Sequence, residues 1–454
     1  MRAEIKTFES GAGDCIFLVI KDEMYNSSFH IMMDCNVLTD EIKTFIRVDL
    51  CKRIDVLIVT HIDSDHANGI TKLMRHHDFA DMQIGLILFN GFQPQTERPR
   101  TLPSQTIAKL QAVAELLPPT VDEAFQKTNG MDAACLITEL NKHPEWKAVW
   151  RQTPILAGET IPLGNNEKWG RLRVLSPTQD AIDDLLHEVK LEYAKRLSSA
   201  PPNEDFLDQD KYYELMLRLA ELRKRPYSAR KTNAEVITKE TLNESAKTDA
   251  EEKGVTKANK ASLAFCWEGG EDNKRVLLMG DAVSSQVVNE LNNIDDNRIW
   301  FEAVKVSHHG SKHNTSIALN AKVDSAHYFF TGGKDNEGPD IETVAKIAMK
   351  PLADGIDQRV IHYNHEKGIN LWKELNKEKT IQLLNNYHTL LNIDNTYEFE
   401  YRQLRRQRSS SHVLRELCKR HGFLCVANTP VDSWTCVGRV LFGQRGNGGG
   451  CSGR

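Results

Sequence analysis

The chain has 454 residues, enough to bury a large core in about two to three domains or in one large domain carrying insertions. With 40% hydrophobic and 27% charged residues and a formal net charge of −5, it offers no global electrostatic attraction for nucleic acid or membrane, so any basic surface has to be local. The first residues, MRAEIKTFES, lack the apolar core of a signal peptide, and no apolar run approaches the roughly 18 residues of a spanning helix, which predicts a cytoplasmic protein that does not enter the membrane.

GDCIFLVI and FHIMMDC, two apolar runs parted by the polar KDEMYNSS, predict a β-hairpin. RIDVLIVT predicts a buried strand, ANGITKLMRHH a helix through Ile70, Leu73 and Met74, and IGLILFNG a further strand stopped by Asn-Gly. This order points to an α/β layered domain. From 92 to 150 the pattern is mostly helical, clearest in TIAKLQAVAELL and AACLITELNKH, and strands return at GETIPLG and RLRVLSP. Between 178 and 257 the composition turns charged and helix-favouring. There KYYELMLRLAELRKR predicts a helix and KTDAEEKGVTKANK a solvated charge run, so the stretch reads as an insertion.

RVLLMG, FEAVKVS and AHYFFTGG predict three more strands. The expected division is 1–177 and 258–400 for two halves of a core fold, 178–257 for the insertion, and 401–454 for an appendage. In that appendage RQLRRQRSSS is basic and GQRGNGGGCSGR is too rich in glycine to pack. The cysteines number nine, and Cys15, Cys35, Cys51, Cys135 and Cys266 stand singly in apolar or strand-like contexts and read as reduced core thiols, not a disulfide framework.

Chemistry concentrates where apolar runs end. VTHIDSDHANGI packs His61, Asp63, Asp65 and His66 into six consecutive residues directly after a strand. Asp281 follows RVLLMG, and His308 and His309 follow FEAVKVS. In layered α/β folds the loops leaving the carboxyl ends of strands build the site, and core packing alone does not require three strands to deliver His and Asp to one edge. Imidazole and carboxylate together suit Zn²⁺, Mn²⁺ or Fe, and about six such groups suffice for two ions sharing a carboxylate. The plainer alternative makes Asp63 or Asp65 a helix cap.

THIDSDH resembles the H-x-H-x-D-H signature of the metallo-β-lactamase-fold hydrolases. The resemblance continues in chain order through GAGDCIFLVI, IMMDCN, ASLAF, VLLMGDA and VKVSHHGSKHNTS. The combination of G-x-GD, DSDH, N-x-x-SL, GDA and HHGS is most similar to the hydrolase domain of ComEC-type competence proteins and its free-standing relatives. It covers roughly residues 3 to 350 apart from the insertion. This likeness implies an αββα four-layer sandwich and one or two divalent ions, Zn²⁺ or Mn²⁺. It implies His61 and Asp63 on the first ion, Asp65 and His66 on the second, Asp281 bridging, and one or both of His308 and His309 completing the second site. The other histidine would then meet a substrate oxygen or protonate the leaving group. Asp34 would orient the ligand histidines.

Two departures stand out. Asp63 occupies a position where histidine is usual, which favours a harder ion such as Mn²⁺ or Mg²⁺. After VLSP, where a further histidine ligand is common, the chain reads Pro177-Thr178-Gln179, leaving the first ion short of one ligand.

The expected activity is that of a phosphodiesterase or nuclease acting on DNA or RNA through a metal-activated hydroxide at Asp65, His66 and Asp281, with Lys312 absorbing charge. Gly310, Ser311 and Lys312 are expected to cradle phosphate, or else to form a plain strand-to-helix turn, and the same choice applies to Gly332, Gly333 and Lys334. Lys195, Arg196, Arg218, Arg223, Lys224 and Arg225 in the insertion favour a polyanion. Alternatives are hydrolysis of a small ester, lactone or nucleotide-type phosphodiester, and a degenerate metal-binding scaffold within a larger assembly that meets a protein partner through the insertion or tail. His76 and His77 read as structural, and His362 and His365 as surface histidines with satisfied hydrogen bonds. Cys418, Cys425, Cys436 and Cys451, with His412 and His421, are zinc-type donors, but the lack of a C-x-x-C spacing argues against a structural zinc site. The run Arg402, Arg405, Arg406, Arg408 reads as solvated or as a contact for nucleic acid or an acidic partner.

Overall fold

The computed structural model describes residues 1–91, 136, 137, 139–196, 238–332, 339–364, 381, 382, 384–392, 396–401, 423–428 and 433–439. Residues Met1–Arg402 form one compact unit and Gln403–Arg454 a second. The helices expected at TIAKLQAVAELL and KYYELMLRLAELRKR lie outside the described residues, as do most of the basic positions of the insertion.

In chain order the strands of the first unit begin with β1 (Arg2–Thr7), β2 (Ile16–Asp22), β3 (Ser27–Met33), β4 (Arg53–Ile54), β5 (Val56–Val59), β6 (Gln83–Ile84) and β7 (Ile87–Phe89). They continue with β8 (Thr160–Pro162), β9 (Arg171–Ser176), β10 (Ala264–Gly269), β11 (Lys274–Leu278), β12 (Ile299–Phe301) and β13 (Ala303–Lys305). The last are β14 (Val323–Ser325), β15 (His327–Phe330), β16 (Arg359–Tyr363), β17 (Thr389–Asn392) and β18 (Thr396–Glu400). One six-stranded sheet runs β18-β1-β2-β3-β5-β7, and one eight-stranded sheet runs β17-β16-β15-β13-β11-β10-β9-β8. The fold is therefore mixed α/β.

Both hairpin and crossover logic are visible. β2 and β3 pair antiparallel as the polar turn predicts, whereas β3, β5 and β7 run parallel, with helix Ser64–Arg75 between the last two. β11, β13, β15, β16 and β17 are likewise parallel. The loops after β3 and β5 thus leave one end of the first sheet, and those after β11, β13 and β15 leave one end of the second. The edge strand β18, from late in the chain, returns to pair with β1, where Arg2 Nε meets Glu398 at 2.8 Å.

Side-chain alternation sorts the core. In β2, Ile16, Leu18 and Ile20 join an apolar cluster containing Phe265 and Trp267 of β10 and Val276 and Leu278 of β11, so the two large sheets pack on each other. Phe17 and Val19 of the same strand point the other way, into a cluster with Ile70, Leu73 and Met74 of the helix after β5. On the far face of the second sheet, Leu277 and Val304 pack with Val287, Leu291, Val344 and Ile347 from helices Ser284–Ile294 and Ile341–Met349. Each fully buried aliphatic or aromatic side chain contributes about 1.5–3 kcal/mol.

Four expectations need correction. Cys51, expected in the core, is exposed at the turn before β4. The charge run ending at Lys260 is not wholly solvated: helix Lys257–Lys260 buries Ala258 and Asn259, because Thr256 caps it and turns Asn259 inward. His362 is not a surface residue. It lies on β16 with 4% exposure, stacked at 4.3 Å on Phe329, while His365 is outside the described residues. In the second unit, Phe423–Asn428 and Ser433–Arg439 pair as antiparallel strands with Cys425 opposite Cys436, β-prone runs that the basic and glycine-rich flanks concealed.

Candidate metal centre

The loop after β5 delivers the first donors. Asp63 holds the N-cap position of helix Ser64–Arg75 in extended conformation, yet its side chain makes no capping hydrogen bond. Its Oδ2 instead lies 3.7 Å from His61 Nε2. Asp65 and His66 occupy the first helical turn, so both project from the end where the loops of the two sheets meet.

Asp281, after β11, is 1% exposed and reaches both histidines with different oxygens: Oδ2 lies 3.8 Å from His61 Nε2 and Oδ1 3.4 Å from His66 Nε2. After β13 the chain takes two consecutive left-handed residues, His308 at φ 46° and His309 at φ 53°. Positive φ costs a non-glycine residue about 1–2 kcal/mol, so the surrounding packing holds this turn in place. The result is that His309 Nε2 faces Asp65 Oδ2 at 3.6 Å while His308 Nε2 faces Asp281 Oδ2 at 3.6 Å.

Hydrogen bonds on the far side of each ring settle which nitrogen is free. Asp34 Oδ2 accepts from His66 Nδ1 at 2.8 Å and from Thr60 Oγ1 at 2.7 Å. With its only proton spent on Asp34, the Thr60 hydroxyl must accept from His61 Nδ1, 3.0 Å away. His309 Nδ1 donates to Asp14 Oδ1 and the Thr331 carbonyl, both at 3.1 Å. His308 Nδ1 donates to Asn314 Oδ1 at 2.9 Å, an amide orientation fixed by Asn314 Nδ2 donating to the Asp281 carbonyl. All four imidazoles therefore turn Nε2 inward. Buried and without hydrogen-bond partners there are His61 Nε2, His66 Nε2, His309 Nε2 and Asp281 Oδ1.

Charge sharpens the picture. Burial works against a charged His66, but Asp281, Asp34 and Asp65 outweigh it and hold the imidazole well above the usual histidine range. His309 is likewise pushed up to about 10 against its burial, chiefly by Asp14 and Asp65. Burial would raise Asp281, Asp65 and Asp14, yet their cationic neighbours keep all three far below the ordinary carboxylate range: His66 for Asp281 and Asp65, Lys305 for Asp14. A cluster this anionic holds its balance with protons or with a divalent ion. His61, His66 and Asp281 form one group of converging donors, Asp65, His66 and His309 another, and these buried groups can hold a metal ion.

Not every expected residue joins them. The Lys312 ammonium lies 2.9 Å from Glu342 Oε1, and its backbone N–H is taken by Asp340 Oδ2. The Ser311 N–H is spent on the His308 carbonyl and its Oγ accepts from the His313 N–H, so the backbone donors of Ser311 and Lys312 are both used within the protein. Gly333 and Lys334 lie outside the described residues. Sequence pattern assigns a role to Asp34 but none to Asp14, Thr60, Asn259, Lys305, Asn314 or Thr331, although Asp14 and Asn259 stand in the G-x-GD and N-x-x-SL motifs. Two signals were present: a carboxylate directly before an apolar strand in G-x-GD, and a lysine inside the apolar FEAVKVS.

Among the described residues no helix is long and apolar enough to cross a membrane. No protein-family model matches this chain, and no curated protein matches it.

Proposed function

We propose that the protein is a metal-dependent hydrolase of the metallo-β-lactamase αββα type, acting as a phosphodiesterase or nuclease. The observation that carries the reading is the convergence of unpartnered His61 Nε2, His66 Nε2, His309 Nε2 and Asp281 Oδ1 in one buried, carboxylate-rich cluster. Two sheets packed face to face with helices on the outer faces support the fold assignment.

His61 and Asp63 would hold one Zn²⁺ or Mn²⁺ ion and Asp65, His66 and His309 a second, with Asp281 a donor within reach of both sets. Asp63 favours a hard ion at the first position. A divalent ion bound there supplies Lewis acidity, lowering the pKa of water and taking up charge that develops on a phosphoryl group. The protein's own part is to orient and to move a proton. Asp34, Thr60 and Asp14 fix the rings, and the helix start excludes bulk water from His66. His308, with 35% of its side chain exposed, is the imidazole placed to meet substrate and, once Nε2 has taken up a proton, to pass that proton to the leaving oxygen while Nδ1–H stays on Asn314.

The test is cleavage of single- and double-stranded DNA and RNA with Mn²⁺ or Zn²⁺, alongside metal analysis, for wild type, Asp281→Asn, His66→Ala and His308→Asn. The first two variants should lose bound metal and activity together. Asparagine tolerates the left-handed backbone, so His308→Asn should keep its metal and lose turnover by roughly 10²-fold or more. Equal cleavage by all four proteins would sink the assignment.

A further inference from the structure

One charged side chain beside the centre belongs to no ligand set. Lys305 closes β13 inside the apolar FEAVKVS run, and its side chain is fully buried. A methionine or leucine would fill such a position without the desolvation of an ammonium, so what Lys305 touches has to account for it.

It touches both halves of the site. The ammonium forms an ion pair with Asp14, which precedes β2 of the first sheet, and donates at 3.0 Å to the Gly280 carbonyl, which precedes Asp281 in the second. Asp14 in turn receives the Thr331 hydroxyl and His309 Nδ1, while the Gly280 carbonyl also receives the His308 backbone N–H at 3.0 Å. A single cation therefore ties the carboxylate that orients His309 to the peptide that carries Asp281 and steers the His308–His309 turn. Glycine at 13 is what lets Asp14 arrive: a Cβ there would lie 1.7 Å from the Asp65 carbonyl oxygen.

We propose that Lys305 is a positioning residue of the metal centre, clamping Asp14 and Gly280 so that His309 Nε2 and the Asp281 carboxylate are held at a fixed separation across the seam between the two sheets. This rests on the metal reading above. It goes beyond that reading in assigning the geometry of the second ion to a residue that binds neither ion nor substrate.

The experiment measures metal stoichiometry and Mn²⁺ and Zn²⁺ affinity on the full chain for wild type, Lys305→Met and the double variant Lys305→Met/Asp14→Asn, with circular dichroism as the check on folding. Long-range ¹H–¹⁵N spectra report which His309 nitrogen is protonated. Loss of about one ion per chain, or at least a tenfold weaker second ion, in folded Lys305→Met is expected, together with loss of the fixed Nδ1–H state of His309. If Lys305→Met fails to fold, the double variant decides, since it removes both buried charges. A folded double variant with a tenfold weaker ion supports the Lys305–Asp14 pair as the clamp, whereas wild-type affinity in either folded variant overturns it and leaves Lys305 a packing residue. Wild type that binds no divalent ion would refute the metal reading itself, a result distinct from unchanged affinity in the variants.

Discussion

Thr60 Oγ1 lies 2.7 Å from Asp34 Oδ2, and that one hydroxyl proton fixes the state of His61, whose Nδ1 must then donate to Thr60 and leave Nε2 free. The same Asp34 oxygen takes His66 Nδ1 at 2.8 Å. One carboxylate thus orients two candidate ligands that stand on either side of the helix start.

Asp34→Ala should lower metal affinity about 10- to 100-fold, the usual effect of removing a carboxylate behind ligand histidines. It also strands the Thr60 N–H and His66 Nδ1, which are buried, at about 1–3 kcal/mol for each group. Metal titration and urea denaturation read the two losses separately. Unchanged affinity with lowered stability would make Asp34 a purely structural residue.

Gly13→Ala is expected to damage the site from outside it. The new methyl would meet the Asp65 carbonyl oxygen at 1.7 Å, so the loop carrying Asp14 or the start of helix Ser64–Arg75 has to move. A loss of about 1–3 kcal/mol in unfolding free energy, with weaker metal binding, is the expected result. A variant as stable and as metal-loaded as wild type would contradict this packing.

Removing metal should lower the melting temperature. An ion that binds only the folded chain adds about 2.7 kcal/mol at a hundredfold excess over its Kd. Calorimetry before and after chelation, then after Mn²⁺ or Zn²⁺ is restored, measures the shift. Identical melting curves throughout would mean that the buried cluster binds no ion.

Away from the centre, His327 makes stability depend on acidity. Its ring stacks on Tyr397 at 3.6 Å and its Nδ1 meets His362 Nε2 at 2.9 Å. Burial, helped by His362, pulls it from 6.5 down to about 4. Because the folded value is the lower one, protonation favours the unfolded chain: the contribution is complete above pH 6.5 and is lost as pH falls towards 4. Partial solvent contact limits the effect to roughly 1 kcal/mol. Urea unfolding between pH 7 and pH 4.5 should show that excess loss in wild type relative to His327→Phe, and parallel curves would refute it.

Much of the fold and half of the centre are legible in the chain itself. The apolar runs GDCIFLVI and RIDVLIVT mark strands, and the strand ends mark His61, Asp63, Asp65, His66, Asp281, His308 and His309. The N-x-x-SL motif marks Asn259, but the charged run around it hides that the side chain turns inward, because charge around a residue says nothing about the direction of its own side chain. His362 shows the same thing: a histidine near polar neighbours in sequence is stacked on Phe329 in space.

The sequence by itself determined the kinds of donor and the edge on which they gather, since strand periodicity and loop position are local properties. Only the tertiary structure decided which nitrogen each imidazole turns inward, that Lys312 pairs with Glu342, and that Lys305 joins Asp14 to Gly280. Those choices depend on hydrogen bonds and ion pairs between residues far apart in the chain. Burial makes an unpaired charge or donor costly there, and only packing the two sheets together brings the partners within reach.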